Sequence, residues 1–328
     1  MEPVITPYGR FYNQDCVTGA RAHLASGSVD LIVTDPPYGI DGDRLHRHYN
    51  RDETCVVGGY VEVPAGAYGE FSLDWILEAE RVLRPGGSIY IVSGYTNLYH
   101  ILHALRQTSL REVNHIIWKY NFGVYTRKKY ISSHYHILFY EKPGGRRTFN
   151  LECRYGANEA SDDGGSLNYR DREDVWAINR HYKPGMVKNK NELPTALLGR
   201  MIQYSSDEGD LVCDLFLGGC STARTAIGLN RRTVGFEVSE TIFAKRAPAL
   251  AEITPGDLLA SLRQPVIDPL RNQGKRWSRA DLERLERRYA ELRDGGKTRK
   301  ASIAVLQQEF GRGRWSLERA LKRTGDGR

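Results

Sequence analysis

The chain has 328 residues, a formal net charge of +7 at pH 7 and five cysteines. That length suffices for one large α/β domain and a smaller second one. No apolar signal segment opens the chain and no apolar run approaches 18 residues, so we expect a cytoplasmic protein that is neither secreted nor embedded in a membrane. The cysteines form no Cys-x-x-Cys pair, which argues against structural zinc, and we expect no metal ion.

The first motif that suggests chemistry is Asp35-Pro36-Pro37-Tyr38, directly after the apolar run 29–34. An exocyclic amine of a nucleobase attacks poorly because its lone pair is delocalised into the ring. The Asp35 carboxylate and the Pro36 carbonyl, held by consecutive prolines, could accept its two N–H bonds and expose that lone pair. Tyr38 could stack on the base. A stiff turn at the end of a strand is the alternative interpretation.

The glycine-rich segment 39–69 follows and is predicted to be a long loop. It could close over an extruded base, and a plain surface loop is the alternative. Its candidate nucleic-acid contacts are Arg44, His46, Arg47, Tyr49 and Arg51.

A second motif lies far downstream, at residues 210–222. Its pattern predicts a buried strand that ends at Asp214, a Gly-Gly turn and a helix directly after the turn. Glycines let a ligand approach the backbone, and a helix N-terminus presents unpaired N–H groups. The next strand ends in Glu237, and an acid about 20 residues after a glycine turn suits ribose hydroxyls. No Gly-x-x-x-x-Gly-Lys-Ser/Thr motif is present, so a triphosphate-binding loop is not indicated.

Positive charge is concentrated in residues 271–328, which hold 17 Lys and Arg against 8 Asp and Glu, a net +9 that leaves about −2 for the first 270 residues. A basic module on a near-neutral body indicates a polyanionic partner. Helical periodicity predicts three short helices, over about 279–292, over 300–310 and from a cap at Ser316 to 323. A packing or oligomerisation module is the alternative.

The three helices resemble a Myb-like or homeodomain-like helix-turn-helix, whose last helix enters the major groove of DNA. We expect Trp277 and Trp315 in the core of this module. The expected phosphate and base contacts are Arg312, Arg314, Arg319, Lys322 and Arg323.

Together the two motifs resemble the amino-group DNA methyltransferases that use S-adenosylmethionine, in their beta-ordered, circularly permuted class, over roughly residues 10–245. The resemblance implies a Rossmann-like doubly wound mixed α/β sheet in which the strand ending at Asp214 lies beside the strand ending at Asp35. It implies that the methyl donor binds at the glycine turn and near residues 12–16. The implied cofactor contacts are Asp15, Cys16, Asp214, Phe216, Gly218, Gly219, Ser221, Thr222 and Glu237.

The same resemblance implies a helix, a Pro-Gly-Gly turn and a strand over 75–93, and a strand hairpin over 116–121 and 133–140. Residues 191–202 resemble the helix that precedes the cofactor strand in this family. Three basic residues in the hairpin connection are expected to contact DNA near the same crevice, with solvated charge as the alternative. They are Arg127, Lys128 and Lys129.

The implied domain plan has a methyltransferase domain over residues 1–250, with the target-recognition segment inserted at about 142–188. A linker at 251–274 and the basic helix-turn-helix-like module at 275–328 complete the chain. The sequence does not reveal which bases the recognition segment reads.

Three positions depart from the family pattern. Cys220 stands where a third small residue, often Gly, is usual near the methionine part of the cofactor. Residues 189–194, which lead into the helix before the cofactor strand, also differ from the family pattern. Leu193 stands where the family has Lys, so the contact of that Lys with the cofactor carboxylate is not carried over. Tyr135 stands where Glu is common. None of the three removes the reacting groups.

The sequence therefore predicts a site-specific methyltransferase that flips its target base out of double-stranded DNA. We favour adenine N6 because family members that use cytosine N4 more often begin the tetrapeptide with Ser than with Asp. Cytosine N4 is the alternative, whereas cytosine C5 is disfavoured because no cysteine follows a proline.

Two functions of other classes stay open. The altered residue at Cys220 and the altered lead-in allow a non-catalytic DNA-binding regulator with a methyltransferase-like body. An RNA-modifying enzyme is a weaker option. The last helix of the helix-turn-helix-like module should enter a major groove, and the major groove of A-form RNA is too narrow for a helix. A homodimer and a companion restriction nuclease are further partners that this class allows, in a bacterial, archaeal or phage-encoded context.

Overall fold

The computed structural model describes residues 1–39, 63–121, 123, 125, 127–180, 192–265, 272 and 274–323. Two compact units form. The first contains Met1–Arg154 and Tyr169–Gln264, and the second contains Tyr155–Asn168 and Pro265–Arg328. The first unit therefore extends into the expected linker, and the second takes in part of the expected recognition segment. The candidate contacts Arg44, His46, Arg47, Tyr49 and Arg51 lie outside the described residues.

Within the described residues, nine strands form one mixed sheet. They are β1 (Val4–Thr6), β2 (Gly9–Tyr12), β3 (Val29–Thr34), β4 (Leu83–Ser93), β5 (Arg111–Lys119), β6 (His134–Glu141), β7 (Val175–Ala177), β8 (Leu211–Asp214) and β9 (Arg232–Phe236). Their order across the sheet is β1-β2-β9-β8-β3-β4-β6-β5-β7. The block β2-β9-β8-β3-β4 is parallel throughout, whereas β6 pairs antiparallel with both β4 and β5. The predicted hairpin is thus confirmed as β5 and β6.

In chain order, the α-helices described up to residue 246 are α1 (Cys16–His23), α2 (Tyr68–Val82), α3 (Leu98–Leu105), α4 (Leu167–Asp171), α5 (Thr195–Ser205), α6 (Ser221–Gly228) and α7 (Glu240–Arg246). Of these, α1, α2 and α3 share one buried cluster with the sheet, and α5 shares another. The helix expected over 191–202 is α5, which begins at Thr195, and the predicted helix after the Gly-Gly turn is α6.

The continuous apolar character of β3 follows from burial on both faces. Ile32 belongs to the same buried cluster as Trp75 of α2, while Leu31 and Val33 belong to a second cluster with Leu197 of α5. A parallel strand with helices on both sides has no solvent face, so its sequence does not alternate. The predicted doubly wound fold is confirmed.

The second unit contains three helices within its described residues: α8 (Arg279–Asp294), α9 (Arg299–Phe310) and α10 (Arg314–Arg323). Ser278 caps α8 by accepting a hydrogen bond from the Asp281 N–H at 3.1 Å, as predicted. Gly311, with a φ of 59°, ends α9 in the left-handed conformation. The predicted cap at Ser316 is wrong, because α10 already begins at Arg314.

No helix within the described residues is both long and apolar enough to cross a lipid bilayer. The same residues contain no group of three or more His, Cys, Asp or Glu side chains arranged to hold a metal ion.

Candidate active site

The ends of two adjacent parallel strands define the site. Leu31 lies opposite Val212 in the pairing of β3 with β8. One residue before the tetrapeptide, the Thr34 hydroxyl donates a hydrogen bond to Asp214 Oδ1 at 3.0 Å. The structure therefore brings the end of β3, with Asp35, next to the end of β8, as the fold class implied. The order of the motifs along the chain does not matter for this contact.

Neighbouring elements hold the tetrapeptide in place. The Tyr68 hydroxyl, at the start of α2, donates to the Pro37 carbonyl at 2.8 Å. The Asn97 amide donates to the Tyr38 carbonyl at 2.6 Å. No donor within the described part of the chain hydrogen-bonds to the Pro36 carbonyl. The two hydrogen bonds thus fix the backbone directly after Pro36 and do not use the Pro36 carbonyl.

The Asp35 carboxylate is half-buried and accepts a hydrogen bond from the Tyr38 hydroxyl at 2.6 Å. Burial raises the pKa of Asp35 to about 7, and the negative charge of Asp214 acts in the same direction. The Tyr38 hydrogen bond and the positive charge of Arg180 act against the rise. A carboxyl group with a pKa near neutrality in a crevice is typical of a functional site.

Asp214 lies at the centre of the candidate cofactor loop. Its Oδ1 accepts the Phe216 N–H at 3.1 Å, and its side chain is also hydrogen-bonded to Thr222. Burial raises the pKa of Asp214 to about 6. The Gly218 N–H donates to Glu237 Oε2 at 2.9 Å. Five of the residues implied to contact the cofactor are therefore brought into one connected loop.

Glu237 is fixed by backbone donors at both oxygens. Besides the Gly218 N–H, the Ser239 N–H donates to Glu237 Oε1 at 2.7 Å. Burial raises the pKa of Glu237, and these two hydrogen bonds oppose the rise. Its carboxylate is therefore held in a defined orientation at the end of β9.

Cys220, one of the three departures from the family pattern, has a backbone conformation that favours glycine. It caps α6 directly before Ser221 with a φ of 61° and a ψ of 23°, which is the left-handed region. Glycine adopts this conformation without steric cost, whereas a residue with a Cβ pays about 1–2 kcal/mol. The side chain is only 3% exposed and packs with Phe11 and Phe243. This burial offsets part of the backbone cost.

The structure gives Asp15 and Cys16 local structural contacts. Asp15 Oδ1 accepts the Val17 and Thr18 N–H groups at 3.0 Å each and so caps α1. The Cys16 side chain is 4% exposed within the core, and burial raises the pKa of its thiol. A cofactor contact by either residue stays a prediction. Because the Cys16 side chain is buried, such a contact would involve the Cys16 backbone.

An aromatic cluster beside the tetrapeptide was not predicted. We define it as Trp118, Tyr120 and Tyr135, whose ring centroids lie 5.4–5.7 Å apart. The Tyr135 ring also stacks on Tyr38, with centroids 5.5 Å apart and planes at 22°. Arg180 lies over all three rings of the cluster. The unusual Tyr135 was the one sequence signal that pointed to this arrangement.

The other candidate DNA contacts of the first unit are exposed. Arg127, Lys128 and Lys129 lie in the connection between β5 and β6. Their contact with DNA stays a prediction.

Arg312 was predicted to contact DNA, and the structure corrects this. Its side chain is buried, at 4% exposed, and donates to the carbonyls of Lys275 and Arg276. Its guanidinium lies 4.1 Å from the centroid of the Trp277 ring. Arg312 therefore closes the core of the second unit instead of facing a ligand.

Trp315 was predicted to lie in that core, and this is also wrong. It is 83% exposed on α10, whereas Trp277 packs against Phe310 as predicted. The core side of α10 is formed by Leu317, Ala320 and Leu321.

The remaining basic candidates of α10 are exposed where the structure describes them. Arg314 forms an ion pair with Glu318 at 3.0 Å, and Arg319 and Lys322 are exposed. The side chain of Arg323 lies outside the described residues. Spacings of four and seven residues put Trp315, Arg319 and Lys322 on one face of the helix.

Comparison with known proteins agrees with this geometry. A family model described as DNA methylase matches residues 29–246. The type II methyltransferase M.HpaI of Haemophilus parainfluenzae is 30% identical over 224 residues, which are 67% of this chain and 68% of that protein. The fold and the paired strand ends define a DNA methyltransferase. This chain belongs to the DNA methylase family whose amino-group branch the sequence resembles, and its cofactor is S-adenosylmethionine.

Two solved structures share the fold. The complex of M1.HpyAVI with S-adenosylmethionine is 20% identical, with a TM-score of 0.51 over 74% of this chain and 98% of that one. The cytosine-N4-specific PvuII DNA methyltransferase is 14% identical, with a TM-score of 0.55 over 75% of this chain and 86% of that one.

Proposed function

We propose that this protein transfers a methyl group to the exocyclic amine of a base flipped out of double-stranded DNA, with adenine N6 as the favoured target. The observation that carries the proposal is the contact between two strand ends. Asp214 is a buried acid that anchors the glycine loop, and it adjoins the strand end that carries Asp35 and Pro36. The backbone directly after Pro36 is held by the hydrogen bond from Tyr68 to the Pro37 carbonyl. The reacting amine and its methyl donor need to meet across such a crevice.

The glycine loop fits the proposed cofactor. Gly218 has a φ of 47°, and the space where its Cβ would lie has no neighbour closer than the Phe216 carbonyl at 3.9 Å. A ligand can therefore approach the backbone there. Glu237 presents a fixed carboxylate suited to ribose hydroxyls, and Ser221 and Thr222 begin α6 beside the loop. We propose these residues, with Asp214, Phe216 and Gly219, as the cofactor contacts.

The transfer step follows from the tetrapeptide. Asp35 and the Pro36 carbonyl accept the two N–H bonds of the amine, which concentrates the lone pair on nitrogen. The bound cofactor supplies an electrophilic methyl group on sulfonium. With S-adenosylmethionine bound, the amine N–C bond would form as the donor S–C bond breaks, leaving a neutral thioether, and Asp35 would take up the surplus amine proton and pass it to solvent. Rate enhancement comes mainly from positioning and from preorganised acceptors.

Tyr38 has two roles in this proposal. Its ring stacks on the flipped base, and its hydroxyl hydrogen-bonds to Asp35 before the base arrives. Flipping costs a few kcal/mol, and stacking returns about 1–3 kcal/mol per base.

The choice of adenine rests on Asp35 at the first position of the tetrapeptide. The experiment is nucleoside mass spectrometry of unmethylated duplex DNA treated with the protein and cofactor, with Asp35→Ala as the control. We expect N6-methyladenine from the wild type and none from the variant. N4-methylcytosine as the sole product would overturn the adenine assignment, and undiminished product from Asp35→Ala would overturn the mechanism.

A non-catalytic regulator is the second candidate, and the left-handed Cys220 is the observation that favours it. Calorimetry separates the two, since a regulator of this sort need not bind S-adenosylmethionine. We expect saturable binding at one site. Absence of binding by the folded wild type would favour the regulator.

We further propose that the second unit binds DNA through the face of α10 that carries Trp315, Arg319 and Lys322. Its support is the excess of positive charge in this region and the exposure of a large aromatic ring among cations. Arg314 and Arg323 on the same helix, and Arg127, Lys128 and Lys129 of the first unit, are proposed as additional contacts.

Duplex binding by the full chain at several salt concentrations tests this surface. Lys322→Ala removes one proposed phosphate contact. The slope of the logarithm of the binding constant against the logarithm of salt concentration should therefore become shallower by about 1. Trp315→Ala should weaken binding without changing that slope. Arg287→Ala, a change on α8, is the matched control. Equal effects of all three would contradict the proposed face. A homodimer and a companion nuclease stay predictions.

A further inference from the structure

The guanidinium of Arg180 is held on aromatic rings next to the proposed catalytic loop. Its central carbon lies 5.1 Å from the centroid of Trp118, 5.2 Å from Tyr120 and 5.1 Å from Tyr135. Each ring face attracts the cation electrostatically, and more strongly where water is excluded. Three rings around one cation restrict its position strongly.

The sheet determines where Arg180 lies. In the pairing of β7 with β5, Trp176 lies opposite Trp118. Ile178 continues this pairing: its N–H donates to the Lys119 carbonyl at 3.1 Å, and its carbonyl accepts the Trp118 indole N–H at 2.8 Å. Arg180 follows two residues later, on a backbone that these hydrogen bonds have already fixed.

A continuous series of contacts connects Arg180 with Asp35. Arg180 lies on Tyr135, Tyr135 stacks on Tyr38, and the Tyr38 hydroxyl donates to Asp35 Oδ1. The proposed methyl transfer requires Asp35 as an ionised acceptor, because a protonated carboxyl group is itself a donor. Burial and the charge of Asp214 both favour the protonated form. Within the described residues, Arg180 is the cation that opposes them.

We propose that Arg180 is a positioning residue for methyl transfer: locked on the aromatic cluster, it supplies the positive charge that keeps Asp35 an ionised acceptor and holds Tyr135 against Tyr38. This inference rests on the proposed function of the same site. It concerns a residue that lies outside both sequence motifs and acts through Asp35 without accepting the amine itself.

The pH dependence of single-turnover methyl transfer tests the proposal. Arg180→Met retains the length and the apolar contact with the rings but removes the charge, whereas Arg180→Lys restores a charge. Charged and titratable groups that act on Asp35 from the described elements are Tyr38, Asp214 and Arg180, and only the last changes in these variants. Rates are measured from about pH 5.5 to 9 with saturating cofactor and long unmethylated duplex DNA of mixed sequence.

We expect the acid limb of the rate profile to move to higher pH in Arg180→Met. On that limb each pH unit of displacement is a tenfold loss of rate, so the defect should be at least about tenfold near pH 6.5 and much smaller near pH 9. Arg180→Lys should return the limb toward its wild-type position. Arg147→Met is the matched control, since Arg147 also lies over two aromatic rings, Phe139 and Phe149, at 5.3 and 5.4 Å.

The outcomes separate this inference from the proposed function. A wild-type protein that methylates DNA, with an Arg180→Met defect that is the same at every pH, overturns the role of Arg180 and leaves the function intact. A wild type without transferase activity on any DNA overturns the function itself. Thermal melting of each variant identifies loss of folding. If Arg180→Met does not fold, Arg180→Gln takes its place, and the acid limb of its rate profile should lie at higher pH than that of Arg180→Lys.

Discussion

Replacing Asp35 with asparagine should stabilise the protein while it abolishes methyl transfer. The folded state raises the pKa of Asp35 from its ordinary 3.8 to about 7. A carboxyl group with a raised pKa binds its proton more tightly in the folded protein than in the unfolded chain. Its contribution to stability is therefore complete below about pH 4 and is lost as the pH rises to about 7. The side-chain amide of the Asp35→Asn variant is neutral throughout and should retain the hydrogen bond from Tyr38.

The magnitude follows from the pKa difference. At about 1.4 kcal/mol per pKa unit, the rise from 3.8 to about 7 corresponds to about 4 kcal/mol as an upper limit. Asp35 is half-buried, so solvent should reduce this to about 2 kcal/mol. The difference in stability between Asp35→Asn and wild type should thus grow by about this amount between about pH 4 and pH 8 and stay constant above it.

Urea unfolding at one-unit pH intervals from about pH 4 to 9 measures this difference directly. Glu237 also titrates with a raised pKa, but it is present in both proteins and cancels. Asp214 is coupled to Asp35, so the measured difference in stability includes the smaller change in the titration of Asp214. The transfer rate of the variant should fall at least about 10²-fold, as for loss of one preorganised contact to a reacting group. A stability difference that does not change with pH would refute the argument, because Asp35 would then titrate as an exposed acid.

Three further predictions concern the braces and the cofactor loop. Tyr68→Phe removes the donor to the Pro37 carbonyl and should lower the single-turnover rate about tenfold with unchanged cofactor affinity in calorimetry. Glu237→Gln should raise the cofactor Kd about tenfold or more while the rate at saturation stays within a few-fold; an unchanged Kd would contradict the ribose assignment. Cys220→Ala keeps the left-handed backbone cost but loses the buried sulfur, so urea unfolding should show a loss of about 1 kcal/mol, whereas Cys220→Gly relieves the backbone and should lose less.

The strands and the candidate site of the first unit could largely be predicted because their signals are local. An apolar run that ends in Asp35 and another that ends in Asp214 each indicate a buried strand followed by a polar side chain. The family resemblance then supplied the pairing of the two strands, which the structure confirms. The position of Glu237 directly after a strand was predicted in the same way, while its contact with the cofactor stays a prediction.

The braces and the aromatic cluster could not be predicted, because they depend on contacts between distant parts of the chain. Tyr68 is 31 residues from the Pro37 carbonyl that it binds, and neither residue has a local pattern that indicates the other. Arg180 is separated from Trp118 by most of the hairpin and the recognition segment. Such contacts exist only after the sheet has formed.

The errors in the second unit have a different origin. A helix start at Ser316 leaves Trp315 outside the helical pattern. With the start at Arg314, the apolar spacing of Leu317, Ala320 and Leu321 defines the core face of α10 and puts Trp315 on the exposed face. That signal was local and sufficient. Arg312 is the harder case, since its long side chain reaches back to cover Trp277, far earlier in the chain.

The burial that makes Asp35 costly for stability is also what makes it useful for transfer. An exposed carboxylate would be hydrated, so water would compete with the base amine for its oxygens, whereas a buried one is a stronger acceptor in a low local dielectric. The same burial, reinforced by Asp214, drives Asp35 toward the protonated form that cannot do this work. A nearby fixed cation resolves the conflict without re-exposing the carboxylate. The position of Arg180 on three rings, beyond Tyr38 and Tyr135, meets that requirement and leaves the oxygens of Asp35 to the substrate.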